Sequence, residues 1–275
     1  MVTLNKHPNT KEIKLSIQVS LNGLSFCALL QEEKRILFFK DIVFPKKLNP
    51  IQVLQQIEKV YEQEEFLQRD DLEVIVLFSN ELYSLVPEKL FKEENASDYL
   101  KFNTRILEND FVAYDQLDNF GMVNVYIPYT NINNFFFEKY GEFEYRHCVS
   151  ILAEEFLKLN KDTEGTKAYL NCYPGGYDLL VIKNGNLLLA NSFKCKTKED
   201  FIYYLLFTAE QLEMDTSEFE LILLGKIVED SDYYNIAYTY VKKISFLETS
   251  FGYPYSAKEE PPKGRMQYTL LKALS

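Results

Sequence analysis

One succession of elements can be read twice in this chain, about 150 residues apart: strand, Gly-containing turn, strand, turn, strand, amphipathic helix, strand. In the first copy residues 17–20 run into Asn22-Gly23, then come residues 24–30, a charged turn at 32–35, and residues 36–39. The second copy has residues 168–172, Gly175-Gly176, residues 177–182, Asn184-Gly185 and residues 187–189. Asn-Gly between apolar stretches predicts a type I′ hairpin turn, because both of its central residues need positive φ. Each copy then supplies a helix. Asn49 before Pro50 reads as an N-cap followed by a first helical proline, with Val53, Ile57, Val60 and Tyr61 on one stripe. Thr197 with Asp200 reads as a capping box, followed by the stripe Phe201, Tyr204, Leu205, Thr208 and Leu212. An apolar strand follows each helix, at residues 72–78 and 219–224. Similar offsets throughout point to duplication.

Three strands before the first helix argue against a dinucleotide-binding fold, which alternates strand and helix from its start. Two hairpins make the first three strands antiparallel, and helical crossovers add parallel strands, so each copy predicts a mixed sheet. The 275 residues allow two such lobes, each with its own core. The first is expected over residues 11–160 with an insertion near 82–119, and the second over 166–275, the polar stretch 160–165 separating them. Residues 122–127 are expected to finish the first sheet, with 143–147 as a further strand. Phe135, Phe136 and Phe137 cannot share one face of the helix over 131–140, so at least one, with Phe136 the candidate, is expected to pack between lobes or against a partner, beside the leading reading that they pack in the core.

Charge and composition exclude several classes of function. Forty-one acidic against 30 basic residues give a net charge of -11, which disfavours general nucleic-acid binding. Lys194, Lys196 and Lys198 read as a solvated edge. No apolar run approaches the ~20 residues that span a bilayer, and the first residues lack the apolar core of a secretory signal, so no membrane insertion and a cytoplasmic location are expected. Cys27, Cys148, Cys172 and Cys195 are widely spaced and read as buried reduced thiols. His7 and His147 are too few for a His-rich metal centre. P-loop, HExxH and GxSxG sequences are absent, and the adjacent His147-Cys148 pair cannot meet face to face on a strand.

Residues 168–185, Ala-Tyr-Leu-Asn-Cys-Tyr-Pro-Gly-Gly-Tyr-Asp-Leu-Leu-Val-Ile-Lys-Asn-Gly, resemble the second phosphate segment and following hairpin of the actin-like superfamily. Residues 219–226, Phe-Glu-Leu-Ile-Leu-Leu-Gly-Lys, resemble its apolar strand ending in Gly before the adenosine-contacting helix. As a whole the chain resembles an uncharacterised Bacteroidetes family with this fold, and more distantly the pilus-assembly and cell-division relatives of actin. The resemblance implies an α/β actin-like ATPase fold of two ribonuclease-H-like lobes, each with a mixed five-stranded sheet. It also implies candidate nucleotide contacts at Asn22, Gly23, Gly175, Gly176, Asp178 and Gly225, with ATP and Mg the cofactor if one binds.

The departures bear on function. Active relatives carry an Asp at the end of the first strand of each lobe, whereas residues 15–30 and 168–176 contain no acid. Ser20, Asn22 or Asn171 would hold a hard cation or activate water poorly. Asp178 is the nearest acid, and its other reading is an edge or turn residue; the Gly175-Gly176 pair and Gly225 serve tight turns equally well. The leading expectation is therefore a non-catalytic or weakly nucleotide-binding scaffold for an unidentified protein partner, with Phe136 and Tyr173 as partner contacts and no cofactor. The alternatives are an ATPase or small-molecule kinase using atypical acids such as Asp178, Asp230 or Asp232, and an adaptor in envelope or pilus assembly.

Overall fold

The computed structural model describes residues 12–101, 110–117, 119–249, 251–255 and 261–275. The first copy forms β1 (Ile13–Ser20), β2 (Gly23–Leu30), β3 (Arg35–Val43), α1 (Pro50–Gln63) and β4 (Leu72–Ser79). Next come β5 (Tyr83–Pro87), β6 (Ala113–Leu117), β7 (Met122–Tyr126), α2 (Thr130–Tyr140), β8 (Glu144–His147) and α3 (Cys148–Leu159). The second copy forms β9 (Thr166–Tyr173), β10 (Gly176–Lys183), β11 (Asn186–Lys194), α4 (Lys198–Gln211), β12 (Glu220–Gly225), α5 (Asp232–Tyr240) and β13 (Lys243–Phe246), and α6 (Tyr268–Lys272) follows.

The two main sheets have the same strand order, β3-β2-β1-β4-β8 and β11-β10-β9-β12-β13, with antiparallel hairpins first and parallel strands after the crossover helices. The likeness extends to irregularities. The β2–β3 ladder slips between Ala28 and Leu29, leaving Leu37 as the extra residue; the β10–β11 ladder slips between Val181 and Ile182, leaving Leu188. Both extra residues are third in their strands. Equivalent helices also start alike. Asn49 and Gln52 close a capping box on α1, and Thr197 and Asp200 close one on α4, each satisfying backbone N–H groups that the first turn leaves free.

Three expectations need correction. Asn22-Gly23 is not a type I′ turn: Leu21 and Asn22 form the loop, and Gly23 is the first residue of β2, paired with Ser20. Its positive-φ counterpart is real at Asn184 (φ 49) and Gly185 (φ 74). Residues 122–126 do not finish the first sheet. They are the central strand of a separate antiparallel sheet, β5-β7-β6, while β8 supplies the fifth strand beside β4. Phe136 is not a partner contact: it is wholly buried on Tyr61, Tyr140 and Phe143 in the first lobe, whereas Phe137 is 63% exposed.

One face of each sheet has its own helices. Ile13, Leu15, Ile17 and Val19 of β1 pack with Val53 and Ile57 of α1 and Ile132 and Phe136 of α2. Tyr177, Leu179 and Val181 of β10 pack with Phe201 and Leu205 of α4 and Ala237 of α5. Between the lobes, Leu152, Phe156 and Leu157 of α3 and Tyr268 of α6 pack on Tyr169, Leu180 and Leu224 of the second sheet. On the same α6 Leu270 and Leu271, and just after it Leu274, pack against Cys27 and Leu29 of β2. Among the described residues, no helix is long and apolar enough to cross a membrane.

Candidate functional site

The first turn of each lobe faces the other. A methyl group placed on Gly175, in the β9–β10 turn, would come within 3.9 Å of Asn22 Nδ2 in the β1–β2 turn. Around this approach the lobes are joined by polar side chains. Lys226 Nζ, just after β12, lies 2.7 Å from Asp41 Oδ2 on β3, and Asp41 also accepts from Ser25 Oγ at 2.6 Å. Lys194 at the end of β11 pairs at 2.6 Å with Glu81, which also faces Lys47 at 3.4 Å. Burial works against the Glu81 charge, but the two lysines and a backbone hydrogen bond offset this and hold its carboxyl below the usual range. Deeper in, Ser192 Oγ lies 3.2 Å from the hydroxyl of Tyr83 and donates to Asp178 Oδ1 at 2.6 Å.

Asp178 is the centre of this cluster. Side chains alternate across a strand, so Tyr177 and Leu179 point towards α4 and α5 while Asp178 and Leu180 point towards the first lobe. It is neither an edge nor a turn residue, being 3% exposed. Asn171 Nδ2 donates to its Oδ2 at 3.1 Å, and Tyr173 lies close by. Burial raises its pKa to about 6 although these neighbours favour the charged form, with Glu81 pushing the same way as burial. Tyr173 accordingly faces inward over its own hairpin, and burial, with Asp178 nearby, holds its phenol well above its ordinary pKa.

These residues do not fit a metal–nucleotide complex. A hard cation asks for several charged oxygens with open lone pairs. Asp178 already accepts from Ser192 and Asn171, while Asp41 and Glu81 are paired with lysines. Among the described residues no group of three His, Cys, Asp or Glu is placed to hold a metal ion. Asp230 and Asp232 precede and open α5, on the other side of the second sheet.

Packing accounts for the candidate glycines. A Cβ on Gly23 would lie 2.5 Å from Ile42 O, and one on Gly176 would lie 2.3 Å from Phe193 O, at equivalent places in the two lobes. Gly225 (φ 79) turns the chain out of β12 where a Cβ would meet Cys172 O at 2.1 Å. Close backbone approach by itself requires glycine at each of these positions. Beside Gly175 and Gly176 a cavity of about 240 Å³ opens between the turn and α5, lined by Cys172, Pro174, Phe201, Ile227 and Tyr233. Its one cation, Lys226, is held by Asp41.

A second buried polar cluster is structural. Asp115 on β6 accepts from Ser150 Oγ at 2.5 Å, the His147 backbone N–H at 2.9 Å and Tyr126 OH at 3.0 Å, fastening the small sheet to the start of α3. Burial raises the pKa of Asp115 and lowers that of His147 to about 3. The neutral ring receives the Val149 N–H on Nδ1, capping α3, and its Nε2–H lies 3.1 Å from Asn80 O. Both nitrogens being engaged, His147 serves neither Ser150 nor Cys148 as a base. His147 closes β8 and Cys148 opens α3, and all four cysteines are buried and free. His7 and part of the expected insertion lie outside the described residues.

Sequence reasoning found Asp178 and the glycines but missed Asp41, Glu81, Tyr83, Ser192 and Lys226. No local signal marks them, since each acts through a partner in the other lobe.

The fold has solved counterparts. A Bacteroides thetaiotaomicron protein with actin-like ATPase fold and unknown function superposes with a TM-score of 0.78 at 24% identity, over 89% of this chain and 94% of that one. A chain of the PilM-PilN type IV pilus biogenesis complex superposes with a TM-score of 0.61 at 9% identity, over 97% of each. Among curated proteins, none matches the sequence. The architecture is the actin-like ATPase fold, with two ribonuclease-H-like lobes built on mixed five-stranded sheets. Residues 3–244 match the family described as protein of unknown function DUF3822, and the chain belongs to that family.

Proposed function

We propose that this protein is a non-catalytic scaffold for protein interactions, its lobes fixed by the contacts that fill the cleft between them. One observation carries the reading: Asp178, the acid on the strand that follows the second turn, is buried and accepts from Ser192 and Asn171, while Ser192 also meets Tyr83 of the other lobe. A carboxylate so engaged neither holds a cation nor orients water. The reading puts the protein in the cytoplasm, where its four thiols stay reduced. An adaptor in envelope or pilus assembly is one form such a scaffold takes, and the likeness to a chain of the PilM-PilN complex supports that form through the fold.

The second reading, weak nucleotide binding or atypical ATPase chemistry, is favoured by the cavity beside Gly175 and Gly176. Thermal denaturation with 5 mM ATP or ADP and Mg²⁺ separates the two, because a ligand that binds the native state raises its melting temperature. The scaffold reading expects a shift under about 1 °C and no phosphate release above background. A metal-dependent hydrolysis rate abolished by Asp178→Asn would sink it.

A further inference from the structure

A cavity of about 650 Å³ with a mostly apolar lining lies away from the cleft turns, where three elements meet. The β6–β7 turn brings Phe120 and Met122, the end of α3 brings Leu157, and the β10–β11 turn brings Leu187. These residues fringe the inter-lobe core, so the floor is continuous with packed interior. Lys158 and Lys161, both exposed, stand among the lining residues, and among the described residues no acid joins them.

The rim is fixed before any ligand arrives. A Cβ on Gly185 would be 3.0 Å from Lys161 O and 3.2 Å from Asn160 O, so the β10–β11 turn sits directly on the end of α3. Asn160, 2% exposed, donates to Phe156 O at 2.6 Å and to the hydroxyl of Tyr169 at 2.7 Å, tying that end to β9. A prepared surface binds without first being ordered.

We propose that this cavity docks a short acidic segment of a partner protein, with Leu- or Phe-type side chains seated on the apolar floor and adjacent carboxylates meeting Lys158 and Lys161. Charge complementarity selects an acidic occupant over a basic one. The side-chain amides of Asn119 and Asn186, also in the lining, match the backbone of a peptide rather than an alkyl tail. This inference rests on the scaffold reading and supplies the kind of partner.

The test is selection of a displayed library of random 12-residue peptides on the intact protein, followed by fluorescence anisotropy with the enriched peptide. The expected winners carry Asp or Glu next to Leu or Phe. Lys158→Glu with Lys161→Glu, both at exposed positions that fold does not require, weakens their binding at least tenfold, and so does Leu187→Asp. Basic winners, no enrichment, or binding indifferent to these changes overturns the proposal. Dodecanoate that binds more tightly than any winner and displaces it also overturns it, in favour of a small apolar anion. Phosphate release from ATP, measured on the same preparations, keeps failure of the scaffold reading distinct: hydrolysis dependent on Asp178 removes that reading whether or not a peptide docks.

Discussion

At the scale of residues, two buried ionisable groups act in opposite directions on acid stability. Asp178 has a folded pKa of about 6 against an ordinary value of 3.8, so the native state takes up its proton first and gains stability as pH falls from about 6 to 4. The full difference is roughly 3 kcal/mol for a group this buried. His147, lowered from 6.5 to about 3, contributes stability above pH 6.5 that is lost as pH falls through that same window. The two offset each other in the native protein. Asp178→Asn removes one of the two raised carboxyls that oppose His147, Asp115 being the other, and its melting temperature is expected to fall more steeply between pH 6.5 and 4.5 than that of the unaltered protein. Equal slopes in calorimetry would refute the assignment. Gly23→Ala and Gly176→Ala each force a methyl against a carbonyl oxygen, at a cost of roughly 1–3 kcal/mol that urea denaturation would register. Neither contact was legible beforehand. Asn22-Gly23 looked like a turn because the dipeptide is local, whereas the need for Gly23 comes from Ile42 on the third strand.

Elements were legible where their signals are short-range. Both capping boxes follow from residues three apart, and the stripes of α1 and α4 follow from helical spacing alone. The assignment of residues 122–126 to the wrong sheet has the opposite cause. A strand carries no mark of which neighbour it pairs with, and here β5 and β6 flank β7 in a sheet of their own. The structure makes α3 the layer shared by both lobes. Phe156 stacks on Tyr169 with ring centres 3.9 Å apart and on Tyr268 at 5.9 Å. Phe156→Ala is therefore expected to cost about 3–5 kcal/mol and to unfold both lobes in one transition. Two separated transitions in calorimetry would show that the middle layer does not couple them.

For the molecule as a whole, the cleft contacts explain why function was less legible than fold. Ser192 and Tyr83 are 109 residues apart in sequence, and Lys226 and Asp41 are 185 apart. Their pairing exists only after the lobes have docked. Asp41→Lys and Lys226→Asp should each lower the melting temperature by roughly 2–4 °C, as expected for a loss near 1 kcal/mol in a chain of this size. The double exchange should restore most of the loss, because it re-forms the pair with its charges reversed. Additive losses would mean that the ion pair couples nothing.

The displaced rungs in the two hairpins bear on descent. A strand order can be reached more than once, since few arrangements satisfy the handedness of crossovers. An extra leucine third in the outer strand of both lobes serves no such rule. Two manuscripts that share a correct sentence need have nothing in common, but two that share the same slip of the pen were copied from one. Leu37 and Leu188 are that slip, and they outlast a sequence in which the halves no longer resemble each other.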